Sequence, residues 1–151
     1  MTSIKVDVEG GRDWGAALRI KGAAVTAATR YATAEAGREV KRGMVRRLTM
    51  RRHPPGTPTP APPGGPPAAV SGKLADSVAV GTVRRGFGRG VYEVIVAPHR
   101  VYARIQQQGG RTGRNHATVL PARPYLKPRT RAEMESVKRI YLRAWREAIK
   151  A

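Results

Sequence analysis

Ile4, Val6 and Val8 alternate with Lys5, Asp7 and Glu9, and this period of two predicts a short strand that ends at Gly10 and Gly11. From about Asp13 to Met50 the spacing lengthens. Trp14, Leu18, Val25, Ala28, Ala32, Val40, Met44 and Leu48 recur on one helical face, and Asp13 is placed to cap the helix start. Gly22, Gly37 and Gly43 lie inside this stretch, each costing about 1 kcal/mol relative to alanine. They predict kinks or points where a neighbouring segment comes close. The expectation is one long helix.

Eight prolines then fall within residues 54–67, a density that no helix or central strand tolerates. Extended in polyproline form, such a stretch would reach roughly 40 Å at ~3.1 Å per residue. Residues 53–70 therefore read either as a loop or as an arm that orders along a neighbouring subunit. Beyond it, Val78, Val80 and Thr82, a glycine- and arginine-rich turn over residues 84–90, and residues 91–97 (VYEVIVA) spell a β-hairpin with a basic tip, stopped by Pro98. Val101, Tyr102 and Ile105 suit a short helix closed by Gly109. A basic loop over residues 109–115 leads into an extended segment through Pro121, Pro124 and Pro128. Thr130 and Glu133 have capping-box spacing and open a last helix with an apolar stripe of Val137, Ile140, Tyr141, Ala144 and Ala148. The fold class expected is α+β: a long N-terminal helix and a C-terminal helix packed on a small antiparallel sheet, with a hairpin and a long Pro-rich loop, all in one domain spanning 1–151.

Charge changes the picture most. The chain carries 29 Lys and Arg against 10 Asp and Glu, a net +19. Residues 42–131 hold seventeen of the basic residues and only two acids, Asp76 and Glu93. Such a field favours nucleic acid, anionic lipid or an acidic protein partner. Aromatic residues are only 5%, so the core must rest on aliphatic side chains and stay modest. Burial against neighbouring subunits would help it. The absence of cysteine rules out disulfides and thiolate chemistry. The first residues lack the apolar core of a signal peptide, and no apolar run approaches the ~20 residues of a membrane span, so a soluble chain made in the cytoplasm is expected.

Catalytic chemistry has little to stand on. No carboxylate pair is set for acid–base work, and His53, His99 and His116 lack metal-ligand spacing. Gly86-Phe87-Gly88 has neither the continuation nor the following helix of a phosphate-cradling loop. The expectation is no enzyme, no metal and no cofactor. The positive signal is the arginines. Arg42, Arg46, Arg47, Arg51 and Arg52 crowd the end of the long helix, where cations complement its dipole as well as they would suit DNA. Arg84, Arg85 and Arg89 on the hairpin tip, and Arg111 and Arg114 on the next loop, have no such local explanation. Glycine-rich loops of this kind suit sequence-independent phosphate contacts. With few interleaved aromatics, Phe87 and Tyr92, base stacking is not indicated. On composition alone, a free nucleic-acid-binding protein is a natural reading.

Three motifs occur in order: Ser71-Gly72-Lys73-Leu74-Ala75-Asp76-Ser77, Tyr102-Ala103 followed by Gly109, and Pro121-Ala122-Arg123-Pro124-Tyr125-Leu126. Together with the long helix before them and the last helix after them, they resemble the tail-completion (tail-to-head joining) proteins of long-tailed phages, over roughly residues 12–150. Tail-terminator and virion-morphogenesis proteins share much of the pattern. The resemblance implies a structural ring of six copies in the neck of a virion, stacked between a head-closure ring and the tail tube, with double-stranded DNA in its channel and no membrane. It places Arg84, Arg85, Arg89, Arg111 and Arg114 toward DNA or an acidic neighbouring ring. Tyr102, Arg104, Arg123 and Tyr125 would pack the fold or a subunit seam.

Overall fold

A computed structural model describes residues 11–57, 61–88, 90–126 and 131–150, with side chains from residue 17 onward. The strand expected over 4–8, the Trp14 side chain, Thr130 and Arg89 lie outside the described residues. The fold is α+β, as the sequence predicts.

Helix α1 runs unbroken from Gly11–Thr49, 39 residues and so about 58 Å long. Asp13 lies within its first turn rather than before it. Threonines in mid-helix satisfy their hydroxyls by bonding back to carbonyls one turn earlier: Thr26 to Gly22 at 2.8 Å, Thr29 to Val25 at 2.7 Å and Thr33 to Thr29 at 2.8 Å. Helix α4, Arg131–Lys150, lies antiparallel along α1. Its Trp145 Nε1 donates to Thr29 Oγ1 at 2.9 Å, the Tyr141 hydroxyl pairs with that of Thr33 at 3.1 Å, and Lys21 Nζ donates to the Ile149 carbonyl at 3.1 Å. The apolar stripe expected on α4 is the half-buried face that meets α1. α4 therefore packs chiefly on α1 rather than on the sheet.

The sheet is broken into two-stranded pieces. β1 (Val78–Val80) pairs with β4 (Val96–Pro98), and β2 (Arg84–Arg85) with β3 (Tyr92–Glu93), all antiparallel. Between the two blocks Gly81, Thr82 and Val83 face only Val94 and Ile95. This one-residue bulge divides the hairpin in two. Pro98 does not stop the pairing, because it lies opposite Val78 and the next amide, His99 N, still donates to Ser77 O at 3.1 Å. The loop read over 109–115 is a second hairpin: β5 (Gly110–Thr112) pairs with β6 (Thr118–Leu120) around a 3-10 turn, Arg114–His116. Two further helical turns, α2 (Lys73–Asp76) and α3 (Ala103–Gln108), flank the first hairpin.

The Pro-rich segment is closed on its own chain. Ala69 N donates to Arg51 O at 2.8 Å and His53 N to Ala69 O at 3.1 Å, joining its two ends. Ala61 and Pro67 are buried, and Gly64 N donates to Ala122 O at 3.0 Å. What is described of it is a loop folded back on the body, not an extended arm. The core is small: Met44 and Leu48 of α1, Ala75 of α2, Val78 of β1 and Tyr125, with Val45, Leu74, Val96 and Leu126 packed around them.

Gly22, Gly37 and Gly43 of α1 differ in their surroundings. A methyl at Gly37 would lie 2.9 Å from Val94 Cγ1 and 3.0 Å from Val80 Cγ1, so the glycine lets the first hairpin close on α1. A methyl at Gly43 would lie 2.7 Å from a Glu133 carboxylate oxygen, whereas Gly22 meets nothing within 4 Å. Gly22→Ala should therefore raise the denaturation midpoint, by about 0.4–1 kcal/mol in stability. Gly37→Ala should lower it, because overpacking strain of about 1–3 kcal/mol exceeds the helix gain. Urea titration of both variants checks the pair.

Candidate nucleic-acid interface

Most of the basic residues at the end of α1 are committed to structure. Arg47 is 7% exposed. Its Nε donates to Tyr125 O at 3.0 Å, and Nη1 pairs with Glu133. Arg46 lies 3.8 Å from the same carboxylate, and Arg42 pairs with Glu39 one turn away, Nε to Oε2 at 2.9 Å. In sequence Arg42, Arg46 and Arg47 crowd together near the end of the long helix. In the fold Arg47 turns inward, and Glu133, which the sequence marks only by its capping-box spacing from Thr130, is its partner. Arg51 and Arg52 remain exposed.

The hairpin arginines have the opposite character. Arg84 and Arg85 are not on the tip itself but on its last paired rungs, opposite Glu93 and Tyr92. Beyond them Gly86 N donates to Val91 O at 3.0 Å to close the turn, which Gly88 (φ 113°) and Gly90 (φ 75°) complete in conformations that favour glycine. Phe87 stands fully exposed at its end. Arg111 lies in β5 opposite Val119, and Arg114 opens the 3-10 turn of the second hairpin, where Asn115 (φ 56°) and His116 (φ 53°) are left-handed. Arg84, Arg85, Arg111 and Arg114 are all exposed, and among the described residues none forms an ion pair. Two ribbons thus carry exposed guanidinium groups outside any ion pair, with one acid, Glu93, on the rung facing Arg84, a geometry suited to a phosphate backbone or an acidic protein surface.

The four residues expected at a seam divide. Tyr125 is fully buried: its hydroxyl donates to Ala103 O at 3.0 Å, and the amides of Tyr125 and Leu126 both donate to Gln107 Oε1, at 2.8 and 3.2 Å. Arg123 is half-buried. Its backbone amide donates to Gln106 O at 2.9 Å and its Nη2 to Ala61 O at 3.3 Å, which fastens the Pro-rich loop. Tyr102 is 39% exposed, and Arg104 is exposed with Nε on Gln108 Oε1 at 3.0 Å. Sequence reasoning missed Gln107, whose amide oxygen holds two backbone amides from a segment eighteen and nineteen residues away. No periodicity marks such a contact.

No three His, Asp or Glu side chains gather into a metal-binding group among the described residues, and no helix there is long and apolar enough to cross a membrane. No protein-family model matches the chain, and neither a curated protein nor a solved structure matches it.

Burial, helped by the nearby Tyr102, raises the Tyr125 phenol from the usual 10.0 to about 12. The folded state thus favours the neutral phenol. Its contribution to stability is complete below pH 10 and is lost as pH rises from there toward 12. Absorbance titration of the folded chain should show one of the five tyrosines ionising near the upper value, and Tyr125→Phe should abolish that transition.

Proposed function

We propose that this chain is a structural subunit of a phage head–tail connector, forming an oligomeric ring in the neck that joins the head to the tail and lines the DNA channel. The observation that carries the reading is the set of unpaired arginines on two exposed β-hairpins, Arg84 and Arg85 on one and Arg111 and Arg114 on the other. A ring multiplies such groups by its copy number, so a few lumen-facing cations per subunit become a strongly positive collar.

Two further features support it. The order of the three motifs, ending in Pro121 to Leu126, resembles that of tail-completion proteins. Among the described residues, several large apolar side chains are also left uncovered. Leu18, Ile20, Tyr31, Ile95, Val101, Val119 and Ile149 are each more than 60% exposed. Apolar surface of this extent is what contacts between subunits would bury. Partners in this reading are further copies of the chain, a head-closure or adaptor ring, a tail terminator or tail tube, and double-stranded DNA. It includes no catalysis and no cofactor.

Replacing the exposed Arg84, Arg85, Arg111 and Arg114 together by alanine should leave the melting temperature within a few degrees of the parent, since exposed substitutions rarely cost more than ~0.5 kcal/mol each. It should impair head–tail joining or genome retention, read by electron microscopy of the particles formed. Normal virions from that variant would overturn the assignment.

A further inference from the structure

Residues of all three motif segments line a single cavity of about 330 Å³. Its walls are apolar at Leu48, Pro67, Val70 and Leu74, and its polar lining includes His53, Ser71, Lys73, Tyr102, Gln106 and Arg123. No carboxylate lines it. Lys73 comes from α2, directly after the left-handed Gly72 (φ 75°), and Tyr102 stands at the start of α3. His53 Nδ1 lies 2.8 Å from Pro54 O. A carbonyl only accepts, so Nδ1 carries the proton and Nε2 is left without that bond. The Arg123 guanidinium is anchored through Nη2 on Ala61 O. Its Nε is buried and, among the described residues, finds no acceptor.

Buried donors without partners are rare and costly in folded chains, and they mark places where an acceptor binds. Here the orphaned Nε–H belongs to a permanently charged group. That residue lines the cavity together with a second cation, Lys73, and with two side chains that can donate, Ser71 and Tyr102, beside apolar walls. We infer that this cavity is a binding site for a single anionic group, a phosphate or a carboxylate, held by Arg123 and Lys73. The neck reading plays no part in this inference, and the arginines of the two hairpins do not enter it.

The test is two-dimensional NMR of the full chain labelled with ¹⁵N, at constant ionic strength, with the Arg123 Nε–H resonance identified by its loss in Arg123→Lys. Inorganic phosphate and acetate are titrated in separate arms. The site predicts a saturable shift of that resonance in at least one arm, and the arm that saturates identifies the chemistry of the anion. Lys73→Ala, at an exposed side chain, should weaken the binding about tenfold, the loss of one charge-assisted hydrogen bond, without lowering the melting temperature. Arg111→Ala should leave it unchanged, which separates a local site from the general charge of the chain. Failure of both anions to saturate, or equal weakening by the Arg111 and Lys73 substitutions, would overturn the inference.

Discussion

The structure depends on a buried guanidinium. Arg47 reaches out of α1 to the Tyr125 carbonyl and to Glu133 in the first turn of α4, so one side chain ties together three segments that lie far apart in sequence. Taking a cation out of water is unfavourable unless its donors are satisfied, and removing one partner of such a pair leaves the other uncompensated. Here Nε and Nη1 are both used, Arg46 adds a second positive group beside the carboxylate, and Gly43 leaves the space that Glu133 occupies. With Tyr125 held in this way, its ring sits among Met44, Leu48 and Val78, and Gln107 of α3 is drawn onto its backbone. The core is too small to fix these segments by apolar burial alone.

That arrangement separates two populations of arginine. Those of α1 that face acids are paired within the chain, Arg38 with Glu35 and Arg42 with Glu39 on the helix surface and Arg47 with Glu133 inside. Arg84 and Arg85 beyond the bulge at Gly81–Val83, and Arg111 and Arg114 on the β5–β6 hairpin, form no ion pair among the described residues. Two long helices paired along one face, with a sheet reduced to two-stranded pieces, give a scaffold that leaves much apolar surface uncovered. The proposed ring would satisfy both features together, covering the apolar surface with neighbouring copies and directing the free charge at one polyanion.

Elements with strong periodicity were legible from the sequence. Helix α1, the stripe on α4, the first hairpin and the closure of α3 at Gly109 all follow local rules. What was hidden depends on contacts distant in sequence. The alternation of β5 and β6 was masked by Gly110, Gly113 and the polar run between them, so a hairpin read as a loop. The bulge that splits the first hairpin has no sequence mark except Gly81. Prolines correctly excluded helix and sheet over 54–67, but composition alone could not show that Arg51 and Ala69 meet and close the segment on itself. Arg47 and Arg46 look alike in sequence, and only the position of Glu133, 86 residues away, turns one inward. Of the residues expected at a site, the hairpin arginines Arg84, Arg85, Arg111 and Arg114 are exposed, while Tyr125 and most of Arg123 serve the fold.

Sedimentation velocity of the purified full chain over a range of concentrations, with duplex DNA titrated at each, tests the proposed role most directly. A ring subunit forms a closed oligomer, and its affinity for the duplex climbs with assembly and drops steeply with salt. A species that stays monomeric throughout and binds the duplex equally tightly at every concentration would contradict it.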